Sequence, residues 1–187
     1  MCIRDRLYTA GHLIEAGTAH YAATGKKDLL AVVSRLADCL VQTFGKEEGK
    51  KHMCCGHPEI ELALFRLFEA TGNESYKDLA LYFLDIRGTD PSFFARTASE
   101  KNDEMRKWLD ADYFVAHEPV RKMRTAAGHA VRAVYLYEAM ADAVYYTGDE
   151  QMKEALFCLW DNIVSKQMYI TGGIGSQGLS LLHISQH

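Results

Sequence analysis

Three Gly-His pairs are the residues in this chain best suited to chemistry: Gly11-His12, Gly56-His57 and Gly128-His129. Each stands at the head of an apolar run, which starts at Leu13-Ile14, at Ile60 and at Ala130-Val131. A neutral imidazole donates one hydrogen bond and accepts another, and the positive end of a helix discourages its protonation. Three such groups facing a common cavity suit an uncharged ligand with many hydroxyls. Carboxylates keep them company. Glu15 follows His12 on the same helix face, Glu59 and Glu61 follow His57, and Glu138 and Asp142 lie in the third run. Carboxylates lining a cavity are the usual acid/base device of glycoside hydrolysis. Plainer roles compete at every position: a helix cap for each histidine, dipole compensation for Glu59 and Glu61, and ion pairing of the Arg132 kind for the others.

Other constellations are weaker. His52, Cys54, Cys55 and His57 are the ligand types of a zinc site. Adjacent cysteines do not easily close a tetrahedron together, however, and no second Cys/His pair stands at finger spacing, so no metal is expected on them. The loop Thr171-Gly-Gly-Ile-Gly175 lacks the lysine and the strand-to-helix setting of a phosphate cradle. No Ser-His-Asp arrangement stands out. Cys39 and Cys158 fall on apolar stripes and read as core.

The elements that would position the histidines repeat. Leu7–Thr24 reads as an apolar helix closed by Thr24-Gly25, and Lys26–Phe44 as an amphipathic one with Leu29, Val33, Leu36, Leu40 and Phe44 on its stripe. The second unit runs from His57, with Pro58 at the first helical position, to Thr71-Gly72. Its partner helix spans Ser75–Arg87, carrying Leu79, Tyr82, Phe83 and Ile86. An irregular stretch follows, with a short helical turn at Glu104–Trp108 and a long connection over Ala111–Thr125. The third unit runs from His129 to Thr147-Gly148. Asp149 then caps a helix with Met152, Leu156, Leu159, Trp160 and Ile163 on one face. The unit is therefore Gly-His, an apolar helix, Thr-Gly, then an amphipathic helix.

Apolar helices belong inside and half-wet ones outside, so the repeat describes an all-α fold of helical hairpins, either a solenoid or an incomplete (α/α)6 toroid. The interval from His12 to His57 is much shorter than that from His57 to His129, and solenoid repeats keep a steadier period. The toroid is the expectation, with His12, His57 and His129 at one end of it.

Bulk properties narrow the partners. A chain of 187 residues with net charge −4 offers no basic surface for nucleic acid or anionic lipid. No apolar run is long enough for a membrane span, and no secretory signal opens the chain. Five irregularly spaced cysteines argue against a disulfide framework and favour a cytoplasmic setting. Residues 1–6 and 179–187 resemble translated sequencing adapters and are set aside, so residues 7–178 are expected to be an internal slice of a longer protein.

Four segments together are familiar: Ala10-Gly-His-Leu-Ile-Glu-Ala16, Gly56-His-Pro-Glu-Ile-Glu-Leu-Ala-Leu64, Ala127-Gly-His-Ala-Val-Arg-Ala133 and Met168-Tyr-Ile-Thr-Gly-Gly-Ile-Gly-Ser176. In this order they resemble glycoside hydrolase family 127, the β-L-arabinofuranosidases, whose catalytic domain is an (α/α)6 barrel. The resemblance implies that His12, His57 and His129 contact the arabinofuranose, with Cys55 and Gly56 on the same wall. It implies a retaining reaction on terminal β-L-arabinofuranosides of a glycan or oligosaccharide; an oligomeric parent is compatible with it. The nucleophile implied is a zinc-bound cysteine held by a Glu-x-Cys motif and a Cys-Cys pair, with a glutamate as acid/base. All of these would follow residue 178, so no catalytic residue and no zinc are expected in this piece, which should be inactive. The rival readings are a non-catalytic helical-repeat binding protein and a different glycan-degrading enzyme on the same toroid.

Overall fold

The computed structural model describes residues 3–100 and 111–175, with side chains for 6–97 and 111–175. The expected turn at Glu104–Trp108, and everything from residue 176 on, lie outside the described residues. Within them the chain is helical and forms two compact units, Met1–Ile86 and Arg87–His187.

The first unit holds α1 (Ile3–Thr24), α2 (Asp28–Thr43), α3 (Ile60–Thr71) and α4 (Glu74–Ile86). α1 packs on α3, each packs on the helix that follows it, and α2 touches α4. Two hairpins thus lie side by side with α1 and α3 in one layer and α2 and α4 in the other. α3 is the core: Ile60, Leu62, Ala63, Leu64, Phe65 and Leu67 are all buried. α2 buries Leu30, Val33, Ala37 and Leu40. Its stripe is turned from the expected one, because Leu30 and Ala37 go inside while Leu29 and Leu36 are only half-buried. α1 accepts α2 closely at Gly17, where a Cβ would stand 2.6 Å from a methyl of Val33.

The second unit holds α5 (Phe93–Glu100), α6 (Ala130–Thr147) and α7 (Glu150–Asn162), with a 3-10 turn at Val120–Lys122 and a π turn at Ile163–Gln167. α5 occupies a stretch read above as irregular. Its start is set by Asp90, whose carboxylate accepts from the Ser92 N–H and from Arg96. α7 buries Met152, Ala155 and Leu159, packing on α6 and the 3-10 turn, and Ile163 of the π turn is buried too, whereas Trp160 is exposed, correcting its place on the apolar stripe. Cys39 is likewise exposed and Cys158 half-buried, so neither is a core residue.

The Thr-Gly boundaries have a shared construction. Thr24, Thr71 and Thr147 each donate Oγ1–H to the carbonyl four residues back and accept the N–H two residues on. The glycine between takes a left-handed conformation, with φ of 70°, 73° and 68° at Gly25, Gly72 and Gly148. Asp149 caps α7 as expected, accepting from the Met152 N–H at 2.9 Å, and its other oxygen binds Arg121 at 2.7 Å. No helix among the described residues is long and apolar enough to cross a membrane.

Candidate active-site wall

Two of the three Gly-His histidines meet in the first unit. Tyr8, on α1, stands between them, with ring centroids 4.4 Å from His12 and 4.4 Å from His57. His12 lies one turn further along α1, so helical periodicity stacks it over Tyr8. The helix start is not where the sequence reading set it. α1 begins at Ile3, which puts Gly11-His12 in the helix body. α3 begins at Ile60 with Glu59 as its cap residue, so Pro58 precedes the helix and His57 is not a cap. His57 instead turns its Nδ1 to the Pro58 carbonyl at 3.0 Å.

Behind this wall lies a buried relay of polar contacts. Glu59 and Glu61 are completely buried, which dipole compensation at a wet helix end would not require. The Cys55 thiol donates to the Glu61 carboxylate at 3.3 Å, and the Glu59 N–H donates to its other oxygen at 3.1 Å. Glu61 therefore ties the segment carrying Gly56 and His57 to the first turn of α3. The Glu59 carboxylate crosses to α1, where Oε1 lies 3.1 Å from His12 Nδ1, with Glu15 3.6 Å from the same nitrogen. Gly11 makes room for this crossing: a Cβ there would meet the Glu59 Cγ at 2.6 Å.

One atom each of His12, Glu15 and Glu59 lie within 4.8 Å of one another, a spacing that could hold a metal ion. The donors are one nitrogen and two carboxylate oxygens, not the thiolates implied for the zinc of a family 127 enzyme. Cys54 and Cys55 are both buried, and the Cys55 thiol faces the Glu61 carboxylate. His52 turns away to the Tyr82 hydroxyl at 3.2 Å.

His129 belongs to the second unit, as the cap residue of α6, yet it makes no side-chain cap hydrogen bond. Tyr113 packs edge-on against it at 5.5 Å, and the Arg132 guanidinium lies 4.3 Å above the Tyr113 ring. The Ala126 N–H and carbonyl, just before this cap, are held by Asn162 at the end of α7 and by Gln167 at the end of the π turn. Ile174 and Gly175 of the glycine-rich loop join Val131, Val134 and Glu138 around a cleft of about 560 Å³ beside the first turns of α6. Burial, and after it the Arg132 charge, hold the His129 imidazole below its ordinary range. The unfolded chain therefore binds this proton more readily, so His129 subtracts stability as pH falls through the ordinary histidine range and subtracts none above it. An Arg132→Met variant keeps the stem over Tyr113 and removes the charge; an NMR titration should show the His129 pKa rise toward normal.

Sequence reasoning named Glu15, Glu59 and Glu61 but not their targets, and it passed over Tyr8, Tyr113 and Arg87. The Arg87 side chain is fully buried and donates to the Phe114 carbonyl at 3.1 Å, fixing the connection that carries Tyr113. A tyrosine one helical turn before a histidine was the signal available for Tyr8.

Comparison with known proteins bears on this wall. The family described as the β-L-arabinofuranosidase GH127 catalytic domain matches residues 4–181. A non-reducing end β-L-arabinofuranosidase of Bifidobacterium longum subsp. longum is 44% identical over 174 residues, covering 91% of this chain and 26% of that protein. The crystal structure of a GH127 β-L-arabinofuranosidase from Geobacillus stearothermophilus T6 superposes with a TM-score of 0.89 at 44% identity, over 95% of this chain and 28% of that one. A second solved GH127 β-arabinofuranosidase gives a TM-score of 0.80 at 39% identity, over 95% of this chain and 26% of that one. The chain thus spans about a quarter of the length of these relatives.

Proposed function

Because the chain belongs to the GH127 β-L-arabinofuranosidase family, we propose that it is one part of a retaining glycoside hydrolase that releases terminal β-L-arabinofuranose from glycans or oligosaccharides. Its hairpins are then a sector of an (α/α)6 toroid in the parent protein. The observation that carries the reading is Tyr8 packed between His12 and His57, which makes two motif histidines part of one wall. Half-exposed imidazoles beside an aromatic ring suit a furanose, whose hydroxyls take hydrogen bonds while its C–H face rests on the ring.

In this proposal His12, His57 and His129 are sugar ligands, and Cys55 and Gly56 support the wall from behind. Their work is to bind and orient the hydroxyls, which places the glycosidic bond for attack. The chain has no Glu-x-Cys motif, and its one Cys-Cys pair stands directly before Gly56-His57, with the Cys55 thiol against Glu61. The nucleophile, acid/base and zinc are accordingly assigned to the remainder of the parent. A cytoplasmic location, on cysteine usage, completes the proposal, which is compatible with an oligomeric parent.

The test compares two proteins on a chromogenic β-L-arabinofuranoside with zinc present. The full-length reading frame should release L-arabinose and the 187-residue chain should not. Clear turnover by the short chain would place the nucleophile within it; no turnover by the full-length protein, with turnover of another glycoside, would replace the substrate.

A further inference from the structure

We propose that one uncovered face of α6 and α7 is the seat of the helical hairpin that follows residue 178 in the parent protein. The inference rests on the reading that this chain is a sector of a longer helical toroid; it does not depend on the substrate.

Two exposed stripes define the face. On α6, Val131, Val134, Glu138, Ala141 and Tyr145 are all exposed, and their alternating spacing of three and four residues sets them on one line along the helix. On α7 and the π turn, Lys153, Phe157, Trp160 and Val164 repeat that spacing. Phe157 and Trp160 are 66% and 67% exposed. Between the stripes runs a groove of about 630 Å³, with Tyr137, Ala141 and Val144 from α6 and Leu156, Phe157 and Trp160 from α7. A helix line that met only water would carry polar residues, and a contiguous apolar face of this kind marks a contact.

The path of the chain names the occupant. In the first unit the chain that leaves α2 comes back to start α3 against α1, and α4 then touches α2. After α7 a turn at 169–173 is closed by two hydrogen bonds of 2.8 Å, from the Tyr169 N–H to the Gly173 carbonyl and from the Gly172 N–H to the Tyr169 carbonyl. It leads to Ile174 and Gly175, which lie beside Val131, Val134 and Glu138 at the head of the α6 stripe. The chain thus arrives where a further apolar helix would begin alongside α6, and the amphipathic helix after it would fall on Phe157 and Trp160. The relatives have the length for such a hairpin, since this chain spans about a quarter of theirs. Stacked repeat units each bury one face on the unit before and offer the other to the unit after. A second copy of the chain is the poorer occupant. A two-fold pairing of the α6 stripe on itself centres on Glu138 and presses two carboxylates together in an apolar seam.

Radical footprinting read at Trp160 tests the covering without any variant. Oxidation should be several-fold slower in the full-length protein than in the 187-residue chain; equal rates overturn the inference. A photo-reactive benzoyl-phenylalanine in place of Phe157 then identifies what lies on the face. The cross-linked peptide should come from the first hairpin after residue 178 of the same chain. A peptide from further along, or a cross-link between two copies, overturns the assignment. Phe157→Glu should leave the melting temperature of the short chain unchanged and lower that of the full-length protein by several degrees, because only there is the charge buried. No change in either protein counts against the seat. Arabinose release is followed alongside. Full-length protein that protects Trp160 without cleaving a β-L-arabinofuranoside keeps the seat and loses the substrate, and cleavage with Trp160 still open to oxidation does the reverse.

Discussion

Alanine at His57 in the full-length protein is expected to lower kcat/KM on a β-L-arabinofuranoside by about a hundredfold or more, with little change in stability. The size follows from losing a group that orients the reacting sugar, where misplacement of about 1 Å already costs about a hundredfold. The contrast with stability is what discriminates. If His57 served only to start α3, its loss would appear as about 1 kcal/mol of folding free energy and leave the surviving sites active. The structure separates the two outcomes, because Glu59 is the cap residue of α3 and His57 bonds the Pro58 carbonyl instead. Parallel denaturant melts and initial rates read the two quantities separately. Activity retained within a few-fold would return the histidine to a structural role.

The second large effect is on folding. Gly128→Ala should destabilise the protein by about 3 kcal/mol or more, read as a lower midpoint in urea at unchanged slope. Two costs add there. Gly128 has φ of 83°, which a side chain tolerates at about 1 kcal/mol or slightly more. A Cβ would also land on the Asp112 carbonyl oxygen. That carbonyl has little freedom to move, since it accepts from the Val115 N–H at 2.8 Å while the neighbouring Ala116 N–H is bonded to the Ala111 carbonyl at 2.9 Å. Val115 itself is held at φ of 52°, a costly value for a β-branched residue, so the loop has already been bent to fit. Gly148→Ala is the control. Its φ is 68° but nothing stands within 4 Å of its Cβ, so only the backbone cost of about 1 kcal/mol should appear. Equal losses at the two glycines would remove the close approach as an explanation for Gly128.

The glycine of the Gly-His pair is thus not one device. At Gly11 it admits a glutamate side chain from α3, and at Gly128 it admits a backbone carbonyl from the preceding loop. The recurring dipeptide was visible in the sequence; these two reasons for it were not.

What the sequence determined by itself is local. Helical periodicity, the Thr-Gly boundaries and the Asp149 cap rest on hydrogen bonds within a few residues, so the helices and their pairing into hairpins follow from short stretches of chain. The four motifs, read in order, also carried the family. What the tertiary structure decided is which groups face one another across helices. Glu59 could have been a dipole partner, yet it is a buried carboxylate against His12, because α1 and α3 pack closely enough at Gly11 for it to cross. Tyr8 comes between His12 and His57 for the same reason. Leu30 and Ala37, Trp160 and Cys39 took sides that periodicity misjudged, since a helix face becomes a core only where a neighbour covers it. Distances between residues far apart in the chain are set by packing, and packing has no short-range signature to read.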